Sequence, residues 1–232
     1  KVGENALSAL VTRGLVELFY AKFDPDVAGS SSKVQRIVKD VQSHMEKVTR
    51  LDHDRIYSLH LELILATLRT NYFQHEEDEP KKSYIALKIN PAEIQHIPLP
   101  RPMFEIFVYS PRFEACHLRG GKVARGGLRW SDRPEDFRTE VLGLMKAQQV
   151  KNACIVPSGA KGGFVPKCIS STATRDEIME EGVACYRSFI RAMLDITDNY
   201  VDGKVIRPNK VVCYDEDHPY LVVAADKGTA TF

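Results

Sequence analysis

Lys161 stands in the run Gly159-Ala160-Lys161-Gly162-Gly163, and a second glycine-rich run, Gly120 to Gly127, carries Lys122 and Arg125, with Arg129 just beyond it. Glycine lets backbone come close to a ligand and take φ > 0. Cations beside such turns suit a carboxylate or a phosphate. A helix-like segment ending at Lys151 joins the two runs, both of which read as turns. Far downstream, Asp226 ends a strand-like run just before Gly228, and strand ends are where α/β folds place functional groups. Lys151, Lys161 and Asp226 together read as a set for amine chemistry. Partial burial among neighbouring cations would lower a lysine's pKa and fit it for general-base or electrophilic work. The bland alternative makes Lys161 a solvated loop lysine.

Other chemistries fail on spacing. Lys161 is followed by Gly162, so G-x-x-x-x-G-K-[ST] is not met, and G-x-G-x-x-G occurs nowhere in the chain. There is no H-E-x-x-H and no G-x-S-x-G. The histidines at 44, 53, 60, 75, 96, 117 and 218 are scattered and read as surface or structural. Cys116, Cys154, Cys168, Cys185 and Cys213 include no C-x-x-C pair, which argues against a zinc site or a disulfide framework and for a reducing, cytoplasmic setting. A net charge of +1 gives no bulk attraction to nucleic acid or to a membrane surface. No apolar run is long enough to span a bilayer, and no signal peptide is visible. The chain starts at Lys1 and stops just after a strand-like run, which reads as a piece of something longer.

The elements that must position these residues can be read in order. Apolar residues at helical spacing predict helices over about 5–22, 33–48 (capped by Ser32) and 52–71. A charged spacer, 74–83, marks the expected boundary between a helical segment, 1–79, and an α/β domain, 80–232. Tyr84–Ile89, Phe104–Tyr109 and Phe113–Leu118 read as strands, the last two as a hairpin. A helix from Ser131 or Asp132 buries Phe137, Val141, Leu144 and Met145, and a short strand follows at Ala153–Val156. Thr174 with Glu177 forms a capping-box pattern opening a helix over about 175–200. Val211–Tyr214 and Tyr220–Ala225 read as strands.

With these residues in place, a resemblance enters. RGGLRW, KNACIVPSGAKGG and VVAADKGT resemble the glutamate, leucine, phenylalanine and valine dehydrogenase superfamily. The longer run from Pro100 to Lys167, with TLRTNYF, LDITDNYV and PYLVVAADKGTATF, looks like the large bacterial NAD-specific glutamate dehydrogenases. The close resemblance covers Thr67 to Phe232, and before it GLVELFYAKFDP matches best.

The resemblance implies an α/β fold: a mixed-sheet substrate domain behind a helical segment, without a Rossmann domain in this chain. It implies NAD-dependent oxidation of L-glutamate to 2-oxoglutarate and ammonium by a homo-oligomeric enzyme, with NAD held mainly outside this chain. Because G-x-G-x-x-G is absent, the chain alone is expected to be inactive. Lys161 matches the catalytic lysine, Asp226 the catalytic aspartate, and Lys151 the lysine that binds the substrate α-carboxylate. Arg125 sits where glutamate dehydrogenases commonly keep a lysine for the side-chain carboxylate, and this departure leaves Lys122 as its rival. Members acting on apolar amino acids carry an uncharged residue there. PSGAKGG also departs from the P-x-G-G-A-K-G-G of smaller members, with a shorter spacing from Lys151 to Lys161. Two other readings stay open: a dehydrogenase of another amino acid, and a regulatory module whose basic turns bind an anionic effector.

Overall fold

Apolar residues at helical spacing near the N-terminus build three helices with a core of their own. The computed structural model describes residues 4–75, 82–151, 158–218, 220–221, 224–226 and 228–232. In it α1 spans Glu4–Phe23, α2 Ser31–Met45 and α3 Leu51–Ala66. Residues three and four apart share a helix face, so Val11, Leu15 and Leu18 of α1 meet Ile37 and Val41 of α2 and Leu61 of α3. The cap of α2 is Ser30 rather than Ser32: its hydroxyl accepts from the Lys33 backbone N–H at 3.3 Å.

The third helix stops at Ala66, short of the expected 71, and the chain straightens into β1, Thr67–Thr70. Buried Lys22 of α1 explains the stop. Its ammonium donates to the carbonyls of Ile64, Leu65 and Thr67 at 2.9, 2.5 and 2.9 Å. The last carbonyls of a helix have no intrahelical donor, and a cation is well placed to supply one.

The remaining elements are β2 (Ile85–Ile89), β3 (Phe104–Tyr109), β4 (Phe113–Arg119), β5 (Gly127–Trp130), α4 (Phe137–Lys151), β6 (Ala160–Pro166), α5 (Arg175–Leu194), β7 (Asn199–Val201), β8 (Lys204–Ile206) and β9 (Ala224–Ala225). Seven strands form one sheet in the order β1-β2-β3-β4-β6-β5-β9. The β1–β4 half is antiparallel and β6 runs antiparallel to β4, whereas β5 runs parallel to both β6 and β9. The fold is therefore the expected α/β arrangement: a mixed sheet behind a helical segment. Alternation sends Phe113 and Ala115 of β4 to a core with Phe189 and Met193 of α5, and Cys116 and Leu118 to a core with Val141 and Met145 of α4. Among the described residues no helix is long and apolar enough to cross a membrane.

Several local expectations change in the fold. Gly159–Gly163 is not a turn: Ala160 onward is a central strand, paired on both sides by β4 and β5. Its glycines suit it to that place, because side chains at Gly162 and Gly163 would collide with Leu128 and Val141. Helix α4 starts at Phe137, one turn later than expected, and buries Leu142 where Leu144 was expected. The capping box of α5 forms as read, with Glu177 N–H donating to Thr174 Oγ1 at 3.3 Å and Thr174 N–H to Glu177 Oε2 at 2.7 Å. That helix ends at Leu194, not near 200. The next residues make the β7–β8 hairpin, whose Asp202 and Gly203 take φ of 50° and 78°, the positive values a tight Asp-Gly hairpin turn requires. Val211–Tyr214 is not a strand; Tyr214 instead donates its N–H to Leu68 O at 3.1 Å, beside the outer edge of β1. The charged stretch 76–81 and the strand expected at Ala153–Val156 lie outside the described residues.

Candidate active site

The two glycine-rich runs meet side by side in the sheet. Gly120 N–H donates to Gly159 O at 2.9 Å, Arg125 N–H to Ser158 O at 3.2 Å, and Ala160 N–H to Arg125 O at 2.9 Å. Only glycine fits at 126, where a Cβ would fall inside the carbonyl of Ala160. Backbone atoms cannot swing aside as a side-chain tip can, so Gly126→Ala is expected to lower the melting temperature, with an overpacking cost of about 1–3 kcal/mol. Gly143→Ala, on an exposed helical face with open space around it, serves as the control and should not destabilise. Equal melting of the two variants would contradict this account of the turn.

Lys161 is the second residue of β6 and only 5 % exposed. Its register partner is Leu118, which packs on α4, so Lys161 faces the α4 side of the sheet. There its ammonium donates to the Asp226 carboxylate. The sequence-level option of a solvated loop lysine is thus replaced by a buried strand lysine with a carboxylate partner. Asp226 follows β9 and keeps some contact with solvent, its side chain being 32 % exposed. A short turn holds it: Asp226 N–H donates to Thr229 Oγ1 at 3.0 Å, and the Thr229 hydroxyl donates to Leu128 O at 3.0 Å. Buried Thr229 therefore pins the acid to β5. Sequence reading passed over it, although a hydroxyl three residues after an aspartate is a recognisable turn signal.

Arg125 bridges to Gly159 in the parallel ladder that continues into β5 and β6. Two residues along that ladder is one pleat repeat, so Arg125 lies on the same face as Lys161. It is exposed, and no carboxylate among the described residues pairs with it. Glu140, the acid that could have braced it, is taken by Arg129 at 3.1 Å and by the Ser131 hydroxyl at 2.6 Å. Lys122 is engaged elsewhere, its ammonium paired with Glu216 at the surface. Helix α4 runs back from β5 to the start of β6, so Lys151 ends that helix at the end of the sheet where β6 begins; its side chain lies outside the described residues. The arrangement can hold an anion against Arg125 and pass protons between Lys161 and Asp226.

Comparison with known proteins agrees with the resemblance. Residues 40–232 match the family model described as bacterial NAD-glutamate dehydrogenase, catalytic domain. The chain is similar to the NAD-specific glutamate dehydrogenase of Halomonas elongata, 56% identical over 222 residues, and to that of Pseudomonas aeruginosa, 56% identical over 226 residues. It is also similar to the NAD-specific glutamate dehydrogenase of Mycobacterium tuberculosis, 53% identical over 230 residues. These alignments cover 96%, 96% and 95% of this chain, but the chain spans only 14% of the length of each curated relative.

Proposed function

The chain belongs to the family of bacterial NAD-glutamate dehydrogenase catalytic domains, and from that premise we propose that it forms the substrate side of a glutamate dehydrogenase. The reaction converts L-glutamate, NAD and water to 2-oxoglutarate, ammonium, NADH and a proton. The observation that carries this reading is the Lys161–Asp226 pair on the sheet face that Arg125 shares. Oxidation at Cα gives an iminium, water adds to that carbon, and ammonium leaves. A lysine ammonium beside the carbon polarises the developing carbonyl and orders the attacking water. The half-exposed Asp226 carries protons to and from the substrate nitrogen. Lys151 holds the α-carboxylate and Arg125 the side-chain carboxylate, which together fix the direction of the Cα–H bond. With this reading go a small-molecule substrate and a cytoplasmic, homo-oligomeric enzyme.

NAD supplies the hydride acceptor when bound, but among the described residues there is no cradle for it. The β5–α4–β6 unit resembles a nucleotide-binding motif only in connectivity. Its strand-to-helix turn, residues 131–136, has no glycine and carries Asp132, Glu135 and Asp136, the last paired with Arg133. A pyrophosphate needs close backbone approach and an unopposed positive helix end. The main NAD contacts are therefore assigned to a part of the protein outside this chain.

The test is amino-acid-dependent NADH formation by the full-length protein and its variants. Arg125→Leu should depress kcat/KM for glutamate far more than for norvaline. A site built around a cation loses about 2–5 kcal/mol when one partner of such a charge pair is removed, or roughly 30-fold to several-thousand-fold in specificity. Lys122→Ala should change neither, since that ammonium already has an acid partner at the surface. Equal losses on both substrates would make Arg125 structural, and a selective loss in Lys122→Ala alone would move the carboxylate site to Lys122. A full-length protein with no NADH formation from any amino acid would leave the anion-binding module as the better reading.

A further inference from the structure

We infer that a cavity behind β4 is a binding site for a single halide-sized monovalent anion, held between His117 and Arg119. These two residues alternate with Leu118, so they lie on the sheet face opposite Lys161, and the site is separate from the catalytic one. The cavity is small, about 10 Å³, which is room for one water-sized body. Lys88, Ile106, Ile196, Thr197 and His218 are among the other residues that wall it.

Two groups that line it have unmet demands. His117 is 2 % exposed, and neither of its ring nitrogens has a hydrogen-bond partner among the described residues. A neutral imidazole carries one N–H, so a buried donor is left without an acceptor. Arg119 is 5 % exposed; it donates to Lys122 O at 2.5 Å and stacks on the Tyr220 ring at 5.4 Å, but no carboxylate pairs with it among the described residues.

The neighbouring groups cannot answer that charge. Asp215 is divided between Arg69 Nε and Lys88 Nζ, each at 2.5 Å. Asp198 takes the other end of Arg69, at 2.6 and 3.1 Å, and the His218 backbone N–H at 2.5 Å. His218 is itself committed as a neutral ring. Its Nδ1 lies 3.4 Å from the Lys88 ammonium, which can only donate, and its Nε2 lies 3.2 Å from Lys122 O, which can only accept. Three cations thus share two carboxylates, and one positive charge is left over in a buried site. Buried charges require a partner. Burial pushes the Arg119 guanidinium down to about 10, as expected of a cation without a counter-ion, and pushes the His117 imidazole down to about 3, which keeps that ring neutral. A water molecule would accept from His117 but leave the charge of Arg119 unanswered. A monatomic anion does both, and a carboxylate or phosphate is too large for the space.

Crystals of the full-length protein grown with bromide as the halide test this. An anomalous bromide peak between the His117 ring and the Arg119 guanidinium is expected, and Arg119→Gln, which keeps the side chain's bulk without its charge, should abolish it. A peak-free site, an ordered water without anomalous signal, or a peak that survives Arg119→Gln would overturn the assignment. Should Arg119→Gln not fold, wild-type melting decides. At equal ionic strength, chloride or bromide should raise the melting temperature over gluconate by on the order of 2 °C and saturate, as a ligand bound only by the folded state does. Identical melting in the two salts would reject the site.

Discussion

Lys161→Met in the full-length protein is expected to lower kcat for the proposed reaction by about 10²–10⁴-fold, the usual worth of positioned acid–base help. Methionine preserves most of the buried stem, so the strand keeps its packing against α4 and only the ammonium is lost. Asp226, left without its partner, is 32 % exposed and can be solvated, so the melting temperature should move little. Asp226→Asn should cut kcat comparably, because an amide cannot carry a proton between water and the substrate nitrogen. The two losses should not add, since the groups work through one hydrogen bond. Activity within tenfold of wild type in either variant, at unchanged melting temperature, would reject the assigned role.

Arg69→Met is expected to be the most damaging single change to stability. Arg69 is fully buried and donates five hydrogen bonds: to Asp215 at 2.5 Å, to Asp198 at 2.6 and 3.1 Å, to Ile196 O at 3.3 Å and to Glu216 O at 3.0 Å. Through them β1 holds the segments that follow α5. Methionine leaves two buried carboxylates short of a cation, a loss of about 3–5 kcal/mol. On a domain of this size that is a fall of roughly 10 °C in melting temperature. Arg69→Lys should not rescue it, because a single ammonium cannot reproduce the planar fork. Burial alone would push the Asp198 and Asp215 carboxyls up. For Asp198, the Arg69 and His218 hydrogen bonds outweigh burial; for Asp215, those of Lys88 and Arg69 do, and both carboxyls are held below the ordinary 3.8. Depressed folded values mean that this stabilisation is complete above 3.8 and is lost as pH falls through them. The variant should therefore lose its acid resistance at higher pH than the wild type. Melting within about 2 °C of wild type would refute the assigned role of Arg69.

Local chemistry wrote much of this fold directly. The capping box at Thr174, the β3–β4 hairpin and the first helix formed as their spacing required, because caps, turns and periodicity act over a few residues. Lys161 and Arg125 were likewise visible as cations among glycines, and Asp226 as an acid at a strand end. Their relations were not. Lys161 and Asp226 are 65 residues apart, and they meet only because β9 inserts beside β5. Glycines that read as a turn became a central strand, since β4 and β5 offered backbone partners on both sides and left no room for side chains there. Arg69 fell within the third helix expected over 52–71. Lys22 ended that helix early, and an aspartate 146 residues away then claimed the guanidinium. The resemblance put Arg125 at the side-chain carboxylate and left Lys122 as its rival. Strand register places Arg125 on the face of Lys161, and Lys122 pairs with Glu216, which favours Arg125 for the proposed role. Pleat parity and long-range charge pairing depend on which strands become neighbours, and the docking of β9 and the segments after α5 against distant strands decided that.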